Sequence, residues 1–387
     1  MSVFEKDQTY IANTYSRFPV ELVRGKGSRL VGSDGREYID LGSGIAVNAF
    51  GVSDEVWKRA VIRQLDALPH ASNLYYTSPM AELAEMLCAK TGMKKVFFGN
   101  SGAEANECAI KTARKWALDT YGEGHSTIIT LKNSFHGRTI ATISATGQDS
   151  FHTNFGPFTP GFVHAEPNDL ESVMALSAET PCAAVMLECV QGEGGVVALD
   201  ADFLAGVEKL CREKGMLLVV DEVQTGNGRC GALYSYMRFG LNPDIVTTAK
   251  GLGGGLPIGA CLMGEKVKDT LTPGTHGSTF GGNPVSCAGA VSILERLDDA
   301  LMEDVKKKSD YIIGELTGAE GVKSVTGLGL MLGVEPANKP AKEVIAKCIE
   351  GGVLLLSAKT KVRLLPPLTI SWDDLKKAID VLKEALK

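Results

Sequence analysis

The sequence predicts an α/β protein with a mainly parallel sheet sandwiched by helices and a smaller α+β unit attached. Three observations carry that prediction. From Lys94 onward, short apolar runs alternate with stretches of helical periodicity, the mark of crossover connections. Polar or charged residues, among them Asn100, Glu188, Asp221 and Lys250, fall at the ends of those runs, where open sheets bind their ligands. At 387 residues the chain also exceeds the size at which one core keeps growing, so a large unit and a smaller one are expected.

In order, strands are expected at Val96–Phe98, Thr127–Leu131, Ala183–Glu188, Met216–Asp221, Ile245–Thr248 and Ala260–Met263, all with their carboxyl ends on one edge. Ala103–Leu118 and Ala201–Lys214 have helical periodicity and would cover the sheet. After Asn283-Pro284 the pattern changes to a helix through about Leu297 and a mixed segment over Lys323–Val334. A helix from Ala341, strands near Val353 and Val362 and a last helix from Trp372 follow. The expected division is a leading segment 1–45 that packs with the smaller unit, a large unit 46–275 and a closing unit 276–387.

Composition narrows the function classes. A net charge of -6 with both signs interspersed offers no basic stripe for nucleic acid and no polybasic patch for a membrane surface. The N-terminal MSVFEKDQTYIANTYSRF lacks a leader pattern, and no apolar stretch is long enough to span a bilayer, so a cytoplasmic protein is expected. Nine cysteines without CxxC pairs read as reduced thiols, and six histidines without HxxxH or HExxH spacing argue against a metal site. Small molecules remain as ligands.

Two strand ends point to the chemistry. LLVVDEVQTG places Asp221 after an apolar run, and IVTTAKGLGGG does the same for Lys250. An amine at a strand end can condense with an aldehyde cofactor, while a buried carboxylate on a neighbouring strand keeps a pyridine nitrogen protonated. That combination indicates pyridoxal 5'-phosphate. Taken singly, Asp221 reads as well as a cap for the next helix, and Lys250 as a solvated surface lysine. The small residues around Lys250 tilt the balance, because they let another group approach the backbone and desolvate the amine, which then serves as anchor and general base. Gln224, on the loop after Asp221, has an amide to offer the cofactor's phenolic oxygen.

A phosphate site is expected where Gly99-Asn100-Ser101-Gly102-Ala103-Glu104-Ala105 leads from a strand into a helix, since free N–H groups meet a dianion there. An ordinary capped turn at Ser101 explains the same residues equally well. GLGGGLP does not satisfy GxGxxG, and no GxxxxGK[ST] occurs. Phe135 follows a strand end and suits stacking on a planar ring, although isolated aromatics are usually core. His136 reads as structural. Arg138 and Arg363 sit in mostly uncharged stretches and have the planar fork that captures carboxylates, against the plain reading of surface arginines. Glu193, in QGEGG, is a candidate counter-charge on a flexible loop, or simply an exposed carboxylate.

Together the segments SGIAVNAFG, NLYYTSP, GNSGAEANECAIKTARKW, SFHGRT, ECVQGEGG, DEVQTGNGRCG, TAKGLGGGLPIGA, HGSTFGGNP and RLLPPL resemble the class III, ornithine-type, aminotransferases of fold type I over most of the chain. The resemblance implies a pyridoxal phosphate-dependent transferase and a homodimer with active sites at the interface. It gives Lys250 the cofactor aldehyde, Asp221 the ring nitrogen and Phe135 the ring face. Ser101, Gly102 and Ala103 take the phosphate, Val223 and Gln224 line the site, and Thr279 reaches the phosphate from the partner subunit with Ser278 near the substrate. Arg138 is matched to the donor's carboxylate and Arg363 to the α-carboxylate of 2-oxoglutarate, with Glu193 masking Arg363 while the donor binds. The implied reaction is ping-pong transfer of the δ-amino group of N2-acetylornithine to 2-oxoglutarate. Succinylornithine, succinyldiaminopimelate, ornithine and 4-aminobutyrate are the alternative donors. An aminomutase and a non-enzymatic cofactor-binding regulator stand further off. One loop departs from the family: Gly51-Val52-Ser53-Asp54-Glu55 stands where many relatives have GHCHP, without its histidines and proline.

Overall fold

The computed structural model describes all 387 residues, Met1–Lys387. Its centre is a seven-stranded sheet of β1 (Lys95–Gly99), β2 (Thr127–Leu131), β3 (Phe162–Ala165), β4 (Cys182–Leu187), β5 (Leu217–Asp221), β6 (Ile245–Thr248) and β7 (Gly259–Met263). Their spatial order is β1-β7-β6-β5-β4-β2-β3. Strands β2, β4, β5 and β6 are buried along their whole length, which explains why they read as unbroken apolar runs rather than alternating ones.

The expectation of one shared carboxyl edge fails for β7. It runs antiparallel to both β6 and β1. The connection from β6 is a short glycine-rich turn, too brief for a crossover helix, so the chain doubles straight back. Strand β3 went unpredicted because it is an edge strand, only half-buried over Phe162, Val163 and His164. The pairs β2 to β4, β4 to β5 and β5 to β6 are parallel as expected, and the additional strand β3 joins β2 in parallel too.

Helix α1 (Gly102–Tyr121) packs across β1, β6 and β7 through Ala105, Cys108, Ala109, Thr112 and Ala113, small residues that bring it close to the sheet. Helix α2 (Ala201–Lys214) lies over β4 and β5. Asn283 caps the helix Pro284–Leu294 through hydrogen bonds from the N–H groups of Val285 and Ser286 to its side-chain oxygen. That helix stops short of Leu297, and a second one, Asp299–Leu316, begins behind the Asp298 cap.

The chain's two ends meet. Leu22–Lys26, Arg29–Gly32 and Glu37–Asp40 form an antiparallel sheet, to which Val353–Leu354 adds in parallel beside Glu37–Asp40. A further antiparallel sheet has the order Val322–Leu328, Met331–Pro336, Lys361–Leu364, Leu356–Ala358. The divergent GVSDE loop is well tied down: Val52 and Gly27 exchange backbone hydrogen bonds at 2.8 Å, and Asp54 both caps the helix Glu55–Ala67 and pairs with Arg296 at 2.9 Å. Asp54 thus anchors this loop at both of its neighbours. No helix is long and apolar enough to cross a membrane.

Candidate active site

Parallel pairing of β5 with β6 puts Asp221 opposite Thr247, so Asp221 and Lys250 emerge at neighbouring strand ends into one cleft of about 490 Å³. That volume suits a small cofactor with part of a substrate. Lys250 follows β6 with φ of +46°, a left-handed conformation that costs a non-glycine residue about 1 kcal/mol or more. Strain of this kind clusters where the surrounding structure dictates a side chain's placement. Burial lowers the Lys250 pKa below the usual lysine value, against the opposing pull of Glu193 and Asp221.

Asp221 is buried and held by three donors. Its Oδ2 accepts from Asn106 Nδ2 at 2.8 Å and faces His136 Nδ1 at 2.8 Å, while Oδ1 accepts from the Val223 N–H at 3.0 Å. Asn106 is itself oriented, since Thr247 Oγ1 donates to its Oδ1 at 2.6 Å and its Nδ2 also donates to the His136 carbonyl at 2.7 Å. Burial by itself would lower the His136 pKa, but its hydrogen bond to Asp221 and that residue's charge outweigh this and hold it above the ordinary histidine value. The structural reading of His136 is therefore incomplete: it braces Asp221. Glu188, also in the cleft, accepts from the N–H groups of Phe135 at 2.9 Å and Gly192 at 3.2 Å, and burial raises its pKa.

The α1 N-terminus forms another wall. Ser101 caps it, accepting from the Glu104 N–H at 3.2 Å, and the first-turn N–H groups of Gly102 and Ala103 have no intrahelical acceptor. Gly102 must be glycine, because a Cβ there would lie 2.5 Å from a methyl of Val223 on the opposite wall. Phe135 is half-buried beside these residues. A phosphorylated pyridine aldehyde thus finds free N–H groups, an amine, a carboxylate and an aromatic face around a single cleft, and the residues fit pyridoxal phosphate.

Next to the cleft, Arg363 is 4 % exposed and its Nη1 lies 2.5 Å from Glu193 Oε1, with Gln224 Oε1 accepting from the same nitrogen at 3.0 Å. Neither the surface-arginine nor the exposed-loop reading survives for this pair. Gln224 Nε2 donates to Glu193 at 3.3 Å, so the amide is shared between the two ions. Burial raises the Glu193 pKa, but the Arg363 charge and hydrogen bond, then Lys250, outweigh it and hold it below the usual value. The Arg363 Nε is buried without a partner. Arg138, by contrast, is exposed at the cleft and lies against an aromatic ring. Ser278 and Thr279 line a separate hollow with His70, Asn73 and Phe97; Ser278 connects back through Asn100 Nδ2, which donates to its Oγ at 3.2 Å.

Asn106 carries no site reading in the sequence, and Glu188 falls at the ligand-binding edge without a role. Phe151 carries none either.

The Aminotransferase class-III family matches residues 10–386. An acetylornithine aminotransferase of Haemophilus ducreyi is 51% identical over 381 residues, covering 98% of this chain and 97% of that protein. Among solved structures, the N-acetylornithine aminotransferase of Stenotrophomonas maltophilia K279a has a TM-score of 0.86 at 34% identity, covering 99% of this chain and 98% of that one. The ornithine aminotransferase of Toxoplasma gondii, crystallised with oxidised glutathione and with PLP partially occupying its active site, reaches 0.94 at 32% identity, covering 99% and 93%. With a family match running nearly end to end and a cleft furnished for its cofactor, the chain belongs to the class III aminotransferases and is a pyridoxal phosphate-dependent enzyme.

Proposed function

We propose that this enzyme transfers the δ-amino group of N2-acetyl-L-ornithine to 2-oxoglutarate, giving N-acetyl-L-glutamate 5-semialdehyde and L-glutamate, a step of arginine biosynthesis. The observation that carries this reading is the Glu193–Arg363 pair with its unpaired Nε. A ping-pong enzyme must admit two dissimilar substrates at one site, and a guanidinium whose fork is only partly used by a releasable carboxylate suits an acceptor that brings a carboxylate of its own. The names of the relatives support acetylornithine as donor.

Bound pyridoxal phosphate supplies the carbonyl that takes up the amino group and the electron sink that labilises the adjacent C–H bond. Lys250 Nζ holds the cofactor at rest and, as an amine of depressed pKa, takes and returns the proton during transfer. Asp221, fixed by Asn106, His136 and the Val223 N–H, holds the proton on the ring nitrogen. Ser101, Gly102 and Ala103 bind the phosphate, Phe135 stacks on the ring, and Val223 and Gln224 close the walls. Arg138 takes the carboxylate of the donor, and Arg363 the α-carboxylate of 2-oxoglutarate once Glu193 has moved.

The same reading has a cytoplasmic homodimer in which Thr279 reaches the partner subunit's phosphate site and Ser278 approaches its substrate. Leu74, Tyr76 and Phe280, exposed by 87, 103 and 60 %, supply an apolar surface near Thr279 for a second copy. It also divides the chain into units 1–45, 46–275 and 276–387, supported by the pairing of Glu37–Asp40 with Val353–Leu354.

The test is spectroscopic. A yellow protein whose absorption is bleached by acetylornithine and restored by 2-oxoglutarate, and whose cofactor borohydride fixes at Lys250, fits the proposal; indifference to amino donors or labelling elsewhere refutes it. The likeness to the Toxoplasma ornithine aminotransferase favours free ornithine as the second reading, so a donor panel belongs in the same experiment.

A further inference from the structure

A guanidinium presented to an incoming carboxylate must keep its in-plane N–H groups free while its long stem stays in place. A ring against its flat face achieves both. Arg138 has a ring to rest on: its guanidinium carbon lies over Phe151, 5.2 Å from the ring centroid, at cation–π distance. Phe151 also packs on Phe135, with centroids 5.6 Å apart at 58°. One side chain therefore touches both the residue read as stacking on the cofactor and the residue read as holding the donor.

The turn bearing Phe151 is tied to the loop bearing those two residues. The Asn133 N–H donates to the Gly147 carbonyl at 2.6 Å, the Gly147 N–H to Ser134 Oγ at 3.0 Å, and Gln148 Nε2 to the Ser134 carbonyl at 3.0 Å. Ser134 and Gln148 are both buried. Phe151 then closes a single 3-10 turn, its N–H donating to the Gln148 carbonyl at 3.0 Å. These bonds fix the turn that carries the ring against the loop that carries Arg138.

We propose that Phe151 is a positioning residue for the charged end of the donor: it holds the Arg138 guanidinium over its ring, so that the N–H groups meet the carboxylate remote from the reacting amine. The inference rests on the reading of Arg138 given above. Phe151 touches no reacting atom, and its effect is confined to substrates that carry that carboxylate.

The test compares N2-acetylornithine with its 1-carboxamide, which lacks only the remote charge. Phe151→Leu should raise KM for acetylornithine about fivefold, the worth of one partly exposed cation–π contact, and leave that for the carboxamide nearly unmoved. The dissociation constant of N-acetyl-L-norvaline, which has the same acylated carboxylate end and no transferable amine, should rise by the same factor. Phe151→Tyr keeps the ring and should restore both values. Equal losses with both donors, or no change with acetylornithine, overturn the inference. Arg138→Ala separates the two levels of the argument. If it spares acetylornithine, the Arg138 reading fails and takes this one with it; if it acts selectively while Phe151→Leu does not, only the role of Phe151 falls. Phe151→Met serves the same comparison should the leucine variant fail to fold.

Discussion

Two carboxylates flank Lys250, and they are held in opposite ways. Asp221 is 3 % exposed and receives Asn106, His136 and a backbone N–H, with Thr247 bracing Asn106 from behind. Glu193 keeps 28 % of its side chain exposed on a glycine-flanked loop and is held by Arg363 and the Gln224 amide alone. A buried carboxylate held by three hydrogen bonds is costly to move, whereas a partly exposed loop carboxylate held by one guanidinium and one amide is easier to displace once another carboxylate takes over the guanidinium. On the proposed reading, Asp221 is the fixed partner of the cofactor and Glu193 the removable partner of Arg363, the division of labour a two-substrate enzyme needs.

The largest expected effect comes from breaking the permanent side. Asp221→Ala should slow turnover by about 10³-fold, the scale of a lost preorganised electrostatic partner, and should slow both half-reactions together in single-turnover measurements. If one half-reaction were spared, Asp221 would not be the constant element of the site.

Glu193→Ala acts on the removable side. It should slow the half-reaction with acetylornithine about tenfold, as expected for a lost charge pair of about 1.4 kcal/mol, while the half-reaction with 2-oxoglutarate does not slow. Equal effects on the two in stopped-flow traces would end the idea of a switch.

A third change asks whether Arg363 moves as well. The strand Lys361–Leu364 leads into Pro366, whose carbonyl accepts from the buried Arg229; that guanidinium also donates to the Leu330 carbonyl at 3.1 Å. Arg229→Met strips two buried carbonyls of a charged donor and should cost about 3 kcal/mol, read as a lower Tm. If the strand is the fixed half of the Glu193–Arg363 pair, the KM for 2-oxoglutarate rises in the same variant.

The smallest effect concerns Lys250 between the two carboxylates. Its pKa is lower in the folded apoprotein than in the unfolded chain, chiefly through burial, so between the two values the unfolded state binds more protons and stability rises with pH. Below that interval the buried cation is a constant cost. Lys250→Met apoprotein should therefore melt higher than the parent apoprotein at neutral pH, by about 2 °C, with the gap closing as pH climbs toward the ordinary lysine value near ~10.4.

How much of this was legible beforehand follows from the range of the interactions. Asp221, Lys250 and the Ser101–Ala103 turn were readable because a charged or glycine-bearing strand end is a local signal, imposed by a strand that must be apolar until it stops. The direction of β7 was not readable, since whether a strand pairs forward or back depends on how far its connection can reach. Asn106 and His136 looked like ordinary helix and loop residues, and only the approach of α1 and the 133–138 loop to the end of β5 made them partners of Asp221. The loop of Glu193 and the strand of Arg363 lie far apart along the chain.

The sequence by itself determined the α/β architecture, the family and the chemical groups at each strand end, because hydrophobic periodicity and motif order are properties of neighbouring residues. Only the tertiary structure decided which carboxylate is buried under three donors and which stays partly exposed on a loop, and that an aromatic ring stands against Arg138. Those are matters of burial and hydrogen-bond saturation, and no residue has either until distant segments have packed around it.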